Sequence, residues 1–536
     1  MIAQKIHRFC VSVALAGNPH DQKSHYGALF GLYRCGHRNW QSCGSKERSG
    51  FEAGASFMDY KRADAMYKTG RLTEALQILD DMDKRQTWAV SVAFVQLLQH
   101  CSGIKALRDG KQIHAHVKKC GFESDIFVAN TLVSMYAKCG SLLDACQIFD
   151  RMPQKDAVSW NAMIAGYAKH GNGEQALRLY QEMKLQGLKP NKVTFICILN
   201  ACASLLAIEH GKRVHADISE ARFESDVVVG SALVDMYIKC GSLVCARTVF
   251  NKMPKRNVIS WTTLIGGYVK HGRSKHALKL SYKMKQEGIK PNEVTYICIL
   301  NACASLADLA KGKQVHFDII KAGYELDTKV GNALVDMYVK CANLLSAQNV
   351  FSRMLNRDTI SWSTMIAGYL TFGSQDKALQ LFGEMQRENV KPDDVTFINL
   401  LSVCSHVGLL NEGLALFESM TRDYGLTPRL EHYGCLVDLF GRAGRLEEAD
   451  AFIKSMPIQP DASVWMALLG ACKVKADIEL AERISRHILK VDPQNEAVYV
   501  VLSNVYAAAG KWDAKMGVRK LMEERGVSKD PGRCWI

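Results

Sequence analysis

Three stretches of this chain repeat one another at a fixed interval of 101 residues. VSWNAMIAGYAKHG starts at Val158, ISWTTLIGGYVKHG at Ile259 and ISWSTMIAGYLTFG at Ile360. Companion segments keep step: MYAKCGSL from Met135, MYIKCGSL from Met236 and MYVKCANL from Met337, with Cys101, Cys202, Cys303 and Cys404 at the same interval. Self-similarity of this kind marks an array of small units, each unable to bury a core alone, so that neighbours must stack. Such arrays offer long surfaces to extended partners, so recognition is expected before chemistry.

A length of 536 residues would suit several globular domains, but the repeats argue for one continuous solenoid. The net charge of +14 points to a polyanionic partner. No apolar run reaches the ~18 residues of a membrane span. The 18 cysteines include no C-x-x-C pair, and Cys139, Cys240 and Cys341 again fall at equivalent places. They read as small packing residues in a reducing compartment, with no disulfide framework, metal or cofactor. His114, His215 and His316 share the interval. Equivalent positions of a solenoid do not converge, so these are packing or surface residues, and no catalytic residue is expected.

The first 50 residues hold seven Lys/Arg against two acids, with scattered serines and no repeat pattern. Residues 1–55 are a basic leader, compatible with an organelle transit peptide or with an ordinary disordered segment.

The superunit divides into pieces of 35, 35 and 31 residues. In 157–191, Val158, Trp160, Met163, Ile164 and Tyr167 have helical spacing, His170 and Gly171 break it, and Ala176, Leu177, Leu179, Tyr180 and Met183 resume it before Gly187 and Pro190. Each piece is therefore a helix–turn–helix hairpin. The same ruler gives twelve hairpins over 56–461 and two further helical pairs, 462–495 and 496–529, with a different signature.

The alternation of long and short units, with GSALVDMYIKCGSLVCARTVFNKMPKRN from Gly230 as a short unit and VTFICILNACASLLAIEHGKRVHADI from Val193 as a long one, resembles the P, L and S motifs of plant PLS-class pentatricopeptide repeat (PPR) proteins. The two tail pairs resemble that family's E motifs, and DPGRCWI from Asp530 resembles the start of its PG box, although Arg533 and Cys534 precede Trp535 where Ser before Trp is usual. The resemblance implies an all-α, right-handed superhelical solenoid that binds single-stranded organellar RNA, one base per repeat.

In such proteins the fifth and last residues of a repeat read the base. Here the pairs are Asn130 with Asp156 (U), Asn161 with Asn191 (C or U), Ser231 with Asn257 (A), Thr262 with Asn292 (A), Asn332 with Asp358 (U) and Ser363 with Asp393 (G). The L repeats place aliphatic Val95, Ile196, Ile297 and Ile398 with Asp125, Asp226, Asp327 and Arg429, and are expected to discriminate weakly. The implied tract is 5′-U-Y-n-A-A-n-U-G-n-n-3′. A polar residue in a first helical turn also serves as a cap or faces solvent, and Asp or Asn after proline is ordinary loop chemistry. Against that, Trp160, Trp261 and Trp362 are constant while the next residue changes from Asn161 to Thr262 to Ser363.

The thirteenth place of P and S repeats holds Lys68, Lys138, Lys169, Lys239, Lys270, Lys340 and Arg442, with Thr371 the exception. These form a basic stripe suited to phosphates, or simply cations favoured at helix C-termini. Val158, Val228, Ile259 and Ile360 at the second place are wedges between bases or core residues in equal measure.

Proteins with this tail often continue into a DYW domain, a zinc-dependent cytidine deaminase with H-x-E and C-x-x-C motifs. Neither motif is present. The expectation is a recognition factor for C-to-U editing in mitochondrion or chloroplast, the former slightly favoured, which is not itself an enzyme. It would recruit a DYW-type deaminase or other editing factors through 462–536, or the sequence is a shortened form of a longer editing enzyme. Alternatives are an RNA-binding factor for splicing, cleavage or stability, and a protein-binding scaffold resembling tetratricopeptide repeats, whose steady ~34-residue period differs from the one found here.

Overall fold

The computed structural model describes residues 49–85 and 89–527. The leader up to residue 48 and the PG-box segment 530–536 lie outside the described residues. Among the described residues there are 28 α-helices, one short 3-10 turn and no strand. The first helix, Ser49–Lys68, begins ahead of the expected start at 56. The chain divides into two compact units, one up to Gly267 and one from Tyr268.

In the first unit, the hairpin of Ala157–Lys169 and Gly173–Leu185 illustrates the building block. Trp160, Met163 and Ile164 are buried on one helix, and Ala176, Leu177, Tyr180 and Met183 on the other, the i, i+1, i+4, i+7 pattern of a single apolar face. The turn between them needs Gly171, whose φ of +81° is the left-handed region that a side chain disfavours. In the 31-residue pieces a first helix of 13 residues pairs with a second of only 10. Those second helices end at Met152 and Met253, in extended backbone, because Pro153 and Pro254 follow.

Trp160, Trp261 and Trp362 are fully buried, whereas Trp465 is half-buried and Trp512 is exposed. Trp160 and Trp261 in the first, and Trp362 in the second, pack edge-to-face on Phe149, Phe250 and Phe351 with ring centroids 5.0, 4.7 and 4.9 Å apart. Such pairs add about 0.5–1.5 kcal/mol beyond burial. First helices pack on first helices of the adjoining hairpins: a Cβ on Gly166 would sit 2.7 Å from Ala137 Cβ. Cys101 and Cys202 in the first unit, and Cys303 and Cys404 in the second, are fully buried. Burial pushes the Cys202 and Cys303 thiols up to about 12, which leaves them inert as nucleophiles.

In the second unit the tail pairs continue the stack. Val437, Phe440 and Ile453 share one core with Leu468, Ile484, Val498 and Leu502. Helices Ala462–Lys475, Ile478–Val491, Glu496–Ala508 and Trp512–Glu524 are thus an extension of the array.

Candidate nucleic-acid interface

From Asp125 onward the last residue of a repeat stands at the N-terminus of the next repeat's first helix, whereas Val90 lies inside helix Ala89–Ile104. Asp156 and Asn191 in the first unit, and Asn292, Asp358 and Asp393 in the second, cap helices starting at Ala157, Lys192, Glu293, Thr359 and Asp394. Their side-chain oxygen accepts backbone N–H groups that no helix carbonyl reaches. Asp125, Asp226 and Asp327, which end L repeats, cap in the same way. Capping alone therefore accounts for an Asp or Asn at this place, and only the choice between them is left to carry information.

The fifth residue lies against that cap. Asn130 Nδ2 donates to Asp156 Oδ1 at 3.1 Å, Asn161 Nδ2 to Asn191 Oδ1 at 3.3 Å, and Asn332 Nδ2 to Asp358 Oδ1 at 3.0 Å. Ser363 Oγ is 2.6 Å from Thr396 Oγ1, which in turn lies 2.8 Å from Asp393 Oδ1. Ser231 instead donates to Val227 O of its own helix at 2.6 Å, while Asn257 Oδ1 accepts the Ser260 N–H at 2.9 Å. Asn130, Asn161, Ser231, Asn332 and Ser363 are all buried, so each offers only one polar edge. Thr262 sits on helix Val258–Lys270 in the first unit and Asn292 in the second.

Burial raises the Asp358 carboxyl, but bonds from the Ser361 N–H, the Asn332 amide and the Ser361 hydroxyl outweigh it and hold the group below the ordinary carboxylate value.

In the second unit a cleft of about 640 Å³ gathers four of the expected classes of residue. Its lining includes Ser363 and Asp393, Ile360 and Val395, both second-place residues, and Lys340 with Asp336. Ile360 and Val395 are 60% and 54% exposed, as are Val228 (47%) and Ile259 (60%) in the first unit, which removes the core reading of these four, whereas Val158 is half-buried. Asn399, which sequence reasoning missed, also lines the cleft and donates to Ser363 O at 3.2 Å.

The thirteenth-place cations end the first helices, but the stripe is not uniform. Lys239, Lys340 and Arg442 pair with Asp235, Asp336 and Asp438 one turn earlier, at 2.7, 2.8 and 2.9 Å, and Lys68 pairs with Asp64. Lys138, Lys169 and Lys270 have Ser134, Ala165 and Gly266 there instead, and no carboxylate within ion-pair distance among the described residues. Loss of solvation, then repulsion from Lys169, lowers the Lys138 ammonium. His114, His215 and His316 each bring Nδ1 to a tyrosine hydroxyl, of Tyr136, Tyr237 and Tyr338, at 2.9–3.0 Å. Burial lowers the His215 and His316 imidazoles, as expected of neutral packing residues.

Hairpins of this sequence pattern, stacked through their first helices, define a helical-repeat recognition protein. The chain belongs to the pentatricopeptide repeat family: PPR repeat models match residues 127–156, 155–204, 231–258, 256–305, 357–406, 395–424 and 431–458, and the E motif model matches 475–536. It is 40% identical to a putative mitochondrial pentatricopeptide repeat-containing protein of Arabidopsis thaliana, over 87% of this chain and 74% of that one. It is 39% identical to the chloroplastic pentatricopeptide repeat-containing protein CRR2 of the same plant, over 90% and 74%. The crystal structure of the pentatricopeptide repeat protein PPR10 from maize superposes with a TM-score of 0.58 at 19% identity, covering 93% of this chain and 76% of that one. PPR10 in complex with an 18-nt psaJ RNA element gives 0.51 at 17% identity, covering 89% and 80%. The likeness shows the fold, an all-α repeat solenoid.

Proposed function

We propose that this protein binds single-stranded organellar RNA sequence-specifically, one base per repeat, and selects sites for C-to-U editing. The cleft around Ser363 and Asp393 carries the reading: a polar pair between two exposed aliphatic side chains, beside a cation, suits a flat base with a phosphate attached.

The cap chemistry supports the base assignments. Asn332 has spent Oδ1 on Ser361 and one amide hydrogen on Asp358, and Asp358 Oδ1 is spent on its helix. One N–H donor and one carboxylate oxygen remain, matching a uracil carbonyl and its N3–H. In the Asn161 and Asn191 pair, Asn191 Oδ1 is held by the Val193 and Thr194 N–H groups, so both amides offer N–H, matching the N3 and O2 acceptors of cytosine. Ser231, its hydrogen given to Val227 O, accepts, while the Asn257 amide donates, matching adenine N6–H and N1. Ser363 with its hydrogen on Thr396, and Asp393, are two acceptors for guanine N1–H and N2–H.

Editing is favoured over splicing or stability roles by the E motif at 475–536, which would contact the deaminase or nearby RNA, with the 430–461 repeat roughly four nucleotides upstream of the edited C. The mitochondrial and chloroplastic relatives support an organellar site of action. Sequencing organelle transcripts from plants lacking the protein tests this. A lost C-to-U change downstream of a matching tract is expected; altered splicing or stability with all editing intact would overturn the editing role.

A further inference from the structure

We propose that the third residue of the following repeat is a specificity-determining residue wherever its hydroxyl reaches the fifth residue, so that four polar reading units are triads spanning two repeats. This rests on the proposed base reading.

In the structure a buried hydroxyl bridges the two reading side chains. Ser159 Oγ is 2.6 Å from Asn130 Oδ1 and 3.0 Å from Asp156 Oδ1. Thr194 Oγ1 is 2.7 Å from Asn161 Oδ1, and Ser361 Oγ 2.6 Å from Asn332 Oδ1. Thr396 Oγ1 bridges Ser363 and Asp393. All four residues are fully buried and contribute no surface of their own.

Each also accepts its N-cap N–H as a capping box, but capping alone does not require them. Val229 and Val330 occupy the same place after the L repeats that end in Asp226 and Asp327, and those aspartates cap their helices without a hydroxyl partner. The preceding fifth residues there are Ile196 and Ile297, and Val128 likewise follows the repeat holding Val95. A hydroxyl stands at the third place after a polar fifth residue, and valine stands there after Val95, Ile196 and Ile297; after Ile398 the place holds His432, which bonds the Arg429 N–H and Asp394 O instead. The third residue therefore tracks the reader of the repeat before it.

Its physical effect is to fix which polar atom faces the base. A hydroxyl donating to an asparagine oxygen keeps Nδ2 outward; a hydroxyl accepting from Ser363 keeps that serine an acceptor. Ser260 provides an internal contrast. It exchanges bonds with Asn257 N–H and O, while Ser231 turns away to Val227 O.

The test uses the full chain and RNAs carrying each of the four bases opposite Ser363 and Asp393. Thr396→Val keeps the shape and removes the hydroxyl, and Thr396→Ser restores it. The expected result is that Thr396→Val lowers the G-over-A ratio about fivefold or more, Thr396→Ser restores it, and preferences at the Asn332 base hold. Ser260→Ala, which removes a cap hydroxyl that does not reach the reader, leaves the A preference at Ser231 in place. An unchanged G-over-A ratio in a folded Thr396→Val protein would overturn the proposal while leaving base reading standing. If the wild type shows no base preference at that nucleotide, base reading fails and the proposal falls with it.

Discussion

Asn332 and Asp358 are 26 residues apart in sequence, yet Asn332 Nδ2 lies 3.0 Å from Asp358 Oδ1. One belongs to the first helix of a hairpin, and the other caps the first helix of the next. The cap fixes the carboxylate and the carboxylate orients the amide, since turning Asn332 over would set two oxygens against each other.

Changing the amide changes the edge on offer. Asn332→Thr beside Ser361 would reproduce the hydroxyl pair seen at Ser363 and Thr396. Preference at that base moves from U towards G, by ~1–3 kcal/mol for the contacts exchanged. Competition binding with single-base variants of the RNA checks this, and a preference that stays at U contradicts the pairing scheme.

Acid should act on the same residue. The Asp358 carboxyl titrates below its unfolded value, so its contribution to stability is complete above about pH 3.9 and lost as pH falls through the lower, folded value. Asp358→Asn preserves the cap, as Asn191 and Asn292 do, and removes this sensitivity. Melting temperatures at pH 7 and at about pH 3 should fall less for Asp358→Asn than for the wild type.

Gly166 sits within a helix, where alanine would ordinarily gain about 1 kcal/mol of helix propensity. Here the new methyl would meet Ala137 Cβ at 2.7 Å with its Cα behind it, and neither can move aside as a long side chain would. Overpacking costs typically ~1–3 kcal/mol and prevails. Urea unfolding of Gly166→Ala should show net destabilisation; a stabilised protein would mean that the hairpins part easily.

The cations should differ among themselves. Lys270 has no acidic neighbour on its helix at the place where Lys239 has Asp235, 2.7 Å away. Lys270→Gln is expected to weaken binding to all RNAs alike and to flatten the log–log salt slope by roughly 0.7. Lys239→Gln should do less, because Asp235 already offsets its charge. Equal slopes for both variants would contradict this.

Much of this was legible in the sequence. Hairpins at 157–191 and its copies follow from apolar spacing and a glycine break, and the pairs proposed to read bases come from the family's pattern laid over them. Two things were not. The roles of Asp235, Asp336 and Asp438 depend on an i, i+4 pairing that the stripe of lysines concealed. The buried hydroxyls at 159, 194, 361 and 396 look like ordinary capping-box residues until their contacts to the preceding repeat are known. The alternation with Val128, Val229 and Val330 was the signal, readable only by comparing each third residue with the fifth residue one repeat earlier.

The central claim is that the paired residues read bases. Gel-shift affinity of residues 56–536 for U-Y-n-A-A-n-U-G RNA against a scrambled RNA, across a salt series, tests it most directly. Salt-dependent binding with about tenfold or greater preference for the matched tract, worth 1.4 kcal/mol or more, is the predicted result. Equal binding to both RNAs would contradict base reading, and no binding to either would leave a protein-binding scaffold as the account to pursue.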